Sequence, residues 1–340
     1  MVLGAARTQW SFRPAEDADI DGLTALHQRV FGRTISREQW IWKLRGQPGP
    51  VAGVWVAEAD GHLVFQYAGI PTRFRHRGSE CLAMVDVDTM THPDYRRRGL
   101  LTQGARVTYD HWRKAGIAFT IGLPNEQWGS RTAALGWINL GELRWWIRWL
   151  DPVGVLAAKP GLRWLRRGAR PRSPPPPPRP KEARSSKLQL SHIEDPAPLD
   201  ALWSRTSEEG VVRDTAWFRW RYIEAVPKWS VLGAWTPHGL VGAAAFHVDA
   251  IRECPSGLVG EVVASTFDVA RQLLRRSCEE LRAMGALRVA MLIQPGSTLE
   301  EAALATGFLP HRWTFSVDAV DLGGGLPRAS RFQGGDFDVV

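Results

Sequence analysis

The sequence predicts an α/β protein of two similar domains, each a mixed, mostly antiparallel sheet flanked by helices. Three observations predict it. The 340 residues suffice for two domains of ordinary size. The first half alternates strand-like and helix-like stretches in the order β-α-α-β-β-β-α-β-α-β. The two halves also share a pattern. Trp42-Lys43-Leu44, Pro48 and VWVAEADGHLV in the first half answer to Trp220-Arg221-Tyr222, Pro227 and VLGAWTPHGLV in the second. Each half later has a short Ala/Leu helix ending at a glycine and an aromatic, Gly136-Trp137 and Gly307-Phe308. A repeat of about 175 residues is too long for a solenoid and reads as duplication of one domain type.

In chain order, residues 12–15 start a strand. Residues 20–31 form a helix with apolar residues at Ile20, Leu23, Leu26 and Val30, and Ser36 caps a second helix through Trp42. Residues 54–57 and 63–70 form a hairpin across the Asp60-Gly61 turn. Residues 81–91 are a long strand, and 100–114 an amphipathic helix with Leu101, Ala105, Tyr109 and Trp112 on one face. Residues 119–123 form a strand, 130–135 a short helix and 143–150 a strand. The expected divisions are a first domain at 1–150, a linker at 151–190 and a second domain at 191–340.

The linker holds ten Lys or Arg residues against two acids, so it carries the whole net charge of +8 and the flanking domains are balanced. That balance argues against nucleic acid as a partner, which calls for a basic folded face. Pro174 to Pro178 are consecutive and predict an extended, solvated spacer. Residues 153–167 mix Leu and Trp with Arg and Lys. They read as a short helix packed on a domain, the alternative being contact with an anionic membrane surface. Hydrophobic residues make up 44% and charged residues 23%, the composition of a globular protein. No apolar run is long enough to span a bilayer, and the N-terminus lacks a secretory-signal pattern. Cys81, Cys254 and Cys278 show no metal-ligand or disulfide spacing, so no metal is expected and a reducing cytoplasm is the expected setting.

The chemistry concentrates at 85–102. Alternation places Asp86, Asp88 and Met90 on one strand face, with Val85, Val87 and Thr89 on the other. Pro93 ends the strand. Arg96-Arg97-Arg98-Gly99 then turns into the helix starting near Leu100. Such a turn leaves backbone N–H groups without helical acceptors where the helix dipole is positive, a site for a pyrophosphate. Gly99 permits close approach of a phosphate, and the three arginines screen its charge. The alternative is a solvated arginine cluster, but basic side chains there oppose the dipole unless an anion is bound.

At these residues the chain resembles the GNAT superfamily of acyl-CoA-dependent N-acyltransferases, whose signature is Arg/Gln-x-x-Gly-x-Gly/Ala. Arg96 and Gly99 match, and Leu101 departs from the usual Gly or Ala. The Arg-Arg-Arg-Gly-Leu-Leu run is similar to that of the enhanced-intracellular-survival acetyltransferases, in the bacterial branch with a second, degenerate GNAT-like domain. The resemblance is strong over about 10–150, moderate over 190–320, and absent from the linker. It implies acetyl-CoA or a related acyl-CoA as co-substrate. Backbone groups of Thr89, Met90 and Thr91 would hold the pantetheine arm, and amides of Arg97, Arg98, Gly99, Leu100, Leu101 and Thr102 the pyrophosphate. Asn125 would contact the arm where two strands part.

A primary amine on a small molecule, such as an amino sugar, is the expected acceptor. Protein lysine or an aminoglycoside is the rival acceptor, and a non-catalytic CoA or nucleotide sensor the rival function. The attacking amine must lose a proton, and Asp88 and Glu126 are the expected acceptors. Asp86 and His92 lie nearby with weaker claims. The tyrosine that many relatives place after the asparagine to protonate the thiolate is missing, since 128–135 contain only Ser130 and Thr132 as hydroxyl groups. The second half passes from strand 259–266 through Phe267-Asp268 into a helix with no Arg-x-x-Gly, so no second CoA site is expected there. The resemblance also raises entry of the Val340 carboxylate into the active site.

Overall fold

The computed structural model describes residues 10–47, 51–125, 127–158, 188–206, 208–251 and 254–337. Glu126, Val340, the N-terminal stretch and most of the basic linker, on which expectations were placed, lie outside the described residues. The chain forms two compact units that interleave in sequence. Unit 1 takes 1–141, 209–212 and 316–330; unit 2 takes 142–208, 213–315 and 331–340.

The elements of unit 1 follow the expected order. They are β1 (Ser11–Pro14), α1 (Ile20–Phe31), α2 (Arg37–Arg45), β2 (Val54–Ala59), β3 (His62–His76), β4 (Ser79–Thr91), α3 (Leu100–Lys114), β5 (Phe119–Gly122) and α4 (Arg131–Ala134), with β6 (Ile138–Trp149) beginning in it. Local chemistry explains the boundaries. Ser36 and Gln39 form a reciprocal capping box at α2, each side chain bonded to the other's backbone N–H at 3.0 Å. Asp60 and Gly61 both have positive φ, which matches the twist of the β2–β3 hairpin. Pro93 begins a single 3-10 turn, Pro93–Tyr95, and so ends β4.

Strands β1 to β4 pair antiparallel in sequence order, and β5 joins β4 in parallel. The returning strand β13 (Leu309–Asp321) pairs β5 antiparallel through its last four residues. Helix α3 packs its apolar stripe on this sheet, with Ala105, Tyr109 and Trp112 in one buried cluster with Phe65, Tyr67 and Met84. Gly104 is what lets it lie so close, because a Cβ there would stand 2.2 Å from the Phe65 ring.

Unit 2 repeats the plan. It has α5 (Pro152–Ala157), β7 (Gln189–His192), α6 (Pro198–Ser204), α7 (Thr215–Phe218), β9 (Ser230–Thr236), β10 (Gly239–Ile251), β11 (Cys254–Ala264), α8 (Phe267–Ala283), β12 (Arg288–Ile293) and α9 (Thr298–Ala305). The short β8 (Gly210–Val211) pairs β3 within unit 1. In unit 2, β9, β10 and β11 are antiparallel neighbours and β12 joins β11 in parallel. The aromatic cluster of Trp217, Phe218, Trp220, Tyr222 and Trp229 is buried. No helix among the described residues is long and apolar enough to cross a membrane.

Candidate active site

The parallel ladder between β4 and β5 is short. It pairs Met84 with Thr120 and Val85 with Ile121, after which β5 ends at Gly122 while β4 runs on to Thr91. From Asp86 onward β4 therefore presents main-chain groups on that edge to whatever enters the gap. Thr89, Met90 and Thr91 lie along this edge. Asn125 follows β5, its Oδ1 accepting the Gln127 amide at 3.0 Å and its carbonyl the Trp128 amide at 3.0 Å.

Within the gap β4 is irregular. Val87 pairs with Ala68 but Met90 pairs with Gln66, so Asp88 and Thr89 together oppose Tyr67. This is a β-bulge, and Asp88 takes the left-handed conformation with φ of 42°. The bulge corrects the alternation expected from sequence. Asp86 lies opposite Gly69, whose face meets Trp112 of α3, whereas Asp88 reaches Lys43 of α2. A single extra residue turned the two carboxylates apart. Gln66 Nε2 donates to the bulge carbonyl of Asp88 at 2.9 Å, fixing the irregular backbone.

Asp88 and Lys43 form a buried ion pair. Burial pushes the Asp88 carboxyl up, but the Lys43 ammonium outweighs it, with His27 and Arg33 acting in the same sense, and holds it below the ordinary value. Asp86 is in the reverse condition. Burial pushes it up to about 7, against the opposing hydrogen bonds from Thr120 and Tyr67. Tyr67 in turn meets the Tyr109 hydroxyl at 2.5 Å, and Tyr109 accepts from Trp137 Nε1 at 3.0 Å.

Beyond Thr91 the chain reaches the arginine loop. Arg96, Arg97, Arg98 and Gly99 are exposed, and Leu100 is buried. Arg96 Nε is tied back to the Thr91 carbonyl at 3.2 Å, and Arg98 lies over the Tyr95 ring at 5.1 Å. Gly99 is the residue before α3 and has φ of 82°, with Arg97 also left-handed at 61°. No side chain caps α3, and its first internal bond runs from the Gln103 amide to the Gly99 carbonyl. The amides of Leu100, Leu101 and Thr102 thus precede the first helical donor, the Gln103 amide, and form a cradle fitted to an anion. An open strand edge leading to such a cradle suits an extended amide-bearing arm that ends in a pyrophosphate. No group of side chains that could hold a metal ion occurs among the described residues.

Sequence reasoning missed Lys43, Gln66, Tyr67, Thr120 and Trp137. Lys43 carried a signal, a charge on the stripe of α2 that buries Trp40 and Leu44. Gln66 and Tyr67 depended on the bulge register, and Thr120 and Trp137 on which distant elements meet Asp86 and Tyr109.

Unit 2 has the counterpart gap, closed from within. The parallel pairing of β11 and β12 ends at Val259 and Met291, and a bulge falls at Gly260. Gln333 fills the space, its carboxamide accepting from the Val262 amide at 2.9 Å and donating to the Val262 carbonyl at 3.0 Å. Phe332 donates its amide to Gln294 Oε1 at 2.9 Å. The segment is anchored by Asp336, which Arg213 holds at 2.8 Å beside Glu261, all three buried. Arg221 bonds the Gly335 and Phe337 carbonyls at 2.9 and 2.8 Å.

Residues 11–137 match the family described as acetyltransferase (GNAT) domain. No curated protein matches the chain. Among solved structures, a GCN5-related N-acetyltransferase from Anabaena variabilis is similar with a TM-score of 0.65 at 13% identity, over 92% of this chain and 73% of that one. N-myristoyltransferase of Saccharomyces cerevisiae with bound myristoyl-CoA and inhibitors is similar at 0.64 and 12% identity, over 99% and 88%. A GCN5-related N-acetyltransferase from Kribbella flavida is similar at 0.63 and 13%, over 94% and 73%. At these identities the likeness is one of fold, and the chain has the fold of GNAT N-acyltransferases.

Proposed function

We propose that this chain, with its GNAT N-acyltransferase fold, transfers an acyl group from acetyl-CoA or a related acyl-CoA to a primary amine on a small molecule such as an amino sugar. The observation that carries the reading is the open edge of β4 leading directly to a left-handed Gly99 at an uncapped helix start. In this reading the main chain of Thr89, Met90 and Thr91 binds the pantetheine arm as an added strand. Asn125 contacts it at the mouth of the gap. The amides of Arg97 to Thr102 take the pyrophosphate, and the side chains of Arg96, Arg97 and Arg98 offset its charge.

Acyl-CoA supplies an activated thioester carbonyl. The chain's contribution is positioning and polarisation. A β4 amide directed into the gap stabilises negative charge on the carbonyl oxygen, and the strands hold the amine in line for attack. Asp88 and Glu126 are the acidic residues proposed to act on the amine. Asp88, ionised and paired to Lys43, is suited to attracting a cationic amine more than to taking its proton.

The two-unit plan supports a place in the tandem branch, with unit 2 acting as a scaffold whose gap is filled by Gln333. The neighbour that binds myristoyl-CoA makes acyl length part of the test. Thiol release is measured from acetyl-, octanoyl- and myristoyl-CoA across amino sugars, aminoglycosides and a lysine peptide. Release with an amino sugar and acetyl-CoA supports the proposal. Release with lysine or an aminoglycoside reassigns the acceptor. CoA binding with no release on any amine overturns the enzyme reading in favour of a sensor.

A further inference from the structure

The hydrogen-bond chain at Asp86 has a direction that elementary counting fixes. Trp137 Nε1 can only donate, so Tyr109 accepts from it. Tyr67 gives its one proton to Asp86, so the proton between the phenols belongs to Tyr109. Trp137, Tyr109 and Tyr67 therefore all donate toward the carboxylate. Burial first, then the nearby Asp86 charge, pushes both phenols well above their ordinary value, so both stay protonated. The chain favours the charged form of Asp86 while the apolar surroundings favour the neutral one.

Thr120 is the second element. Its hydroxyl donates to Asp86 Oδ1 and has another acceptor, the Met84 carbonyl, at 3.2 Å. When Asp86 is protonated on Oδ1, the Thr120 hydroxyl can turn its proton to Met84 and accept from the acid. Neither state leaves a buried polar atom unsatisfied. Asp86 lies one residue past the last parallel pair, at the root of the gap, and is partly exposed.

We propose that Asp86 is the proton acceptor of the transfer reaction. In this assignment Thr120 is the rotor that accommodates the proton, and Tyr67 and Tyr109 are the positioning residues that restore the charge. The assignment rests on the acyl-CoA reading and adds to it a group that the sequence ranked below Asp88 and Glu126. The amine attacks in its neutral form, its ammonium proton having passed to solvent, and Asp86 takes the second proton, which the nitrogen loses as its bond to the carbonyl carbon forms. The bond from that carbon to sulfur breaks, and the electron pair leaves on sulfur. The same proton returns from Asp86 to the sulfur, so the thiol leaves neutral and the carboxylate is regenerated. This supplies the acid that 128–135 lack.

The test uses the full chain labelled with 13C at aspartate carboxyls, the Asp86 signal being identified by its loss in Asp86→Asn. That signal should titrate near 7, and Tyr67→Phe and Thr120→Val, each removing a donor to the carboxylate, should move the midpoint upward. Thiol release from acetyl-CoA with glucosamine, and with water alone, should fall at least about 100-fold in kcat for Asp86→Asn with CoA affinity retained. The acidic limb of kcat/KM should follow the carboxyl midpoint in Tyr67→Phe and Thr120→Val, which keeps the test alive if Asp86→Asn does not fold. An Asp86 midpoint near 4, or activity and acidic limb unchanged in Asp86→Asn, overturns the assignment while leaving the acyl-CoA reading standing. No CoA binding by the unaltered chain sinks that reading instead. CoA binding with no release on either acceptor overturns the assignment.

Discussion

Lys43 of α2 and Asp88 at the β4 bulge are each other's buried counter-ion, both nearly excluded from solvent. The pair ties the helix layer to the one irregular point of the strand that lines the gap. Its cost is desolvation of two charges, offset only while both remain. Lys43→Met should therefore destabilise unit 1 by about 3–5 kcal/mol by leaving a buried carboxylate unpaired. The double variant Lys43→Met/Asp88→Leu should recover much of that loss. Urea unfolding of the single and double variants checks it, and additive losses would contradict the pairing.

The raised Asp86 carboxyl sets a pH dependence with a definite sign. Its folded-state value of about 7 exceeds the unfolded value of about 4, so the folded chain binds more protons in between. The stability it contributes is full below about pH 4 and is lost as pH rises through about 7. Asp336, also pushed up to about 7 by burial, acts in the same direction in unit 2. Asp88 acts oppositely, its contribution being lost as pH falls through its depressed folded value. Asp86→Asn should flatten the decline between pH 4 and 7, leaving the Asp336 share, in urea midpoints measured across that range.

Arg213 offsets two buried carboxylates at once, Glu261 at 2.8 Å and Asp336 at 2.8 Å. Arg213→Met should cost unit 2 about 3–5 kcal/mol and loosen the segment that fills its gap. Hydrogen exchange at the Val262 and Phe332 amides should accelerate together. Unchanged protection there would show that Gln333 alone holds the segment.

Packing of α3 gives a test free of charge. Gly104→Ala would push a methyl into the Phe65 ring and should lower stability by about 1–3 kcal/mol, read by thermal unfolding.

Much of the fold was legible because its signals are local. The order of ten elements in the first half, the Ser36 cap, the Asp60-Gly61 turn and the stop at Pro93 depend on residues within a few positions of one another. The arginine loop was legible for the same reason, since Gly99 before an apolar-periodic stretch marks a helix start. The carboxylate geometry was not. Period-two alternation holds only while a strand stays in register, and the bulge at Asp88 is set by pairing with Gln66 and Tyr67, some twenty residues away. The closing of the second gap by Gln333 was hidden because a glutamine bonded to the Val262 backbone leaves no periodic trace. The interleaving of the units depends on strand pairing distant in sequence, β6 with β12 and β13 with β5, which composition does not encode.

In the proposed reading, main-chain amides around Gly99 hold the diphosphate of coenzyme A. Titration calorimetry of CoA into the full chain and into Gly99→Glu measures it directly, since glutamate sets a negative charge where the phosphate binds and strains a φ of 82°. Measurable heat with the unaltered chain and at least a tenfold weaker affinity in the folded variant is the predicted result. No heat with the unaltered chain, or equal affinity in both, would contradict the account.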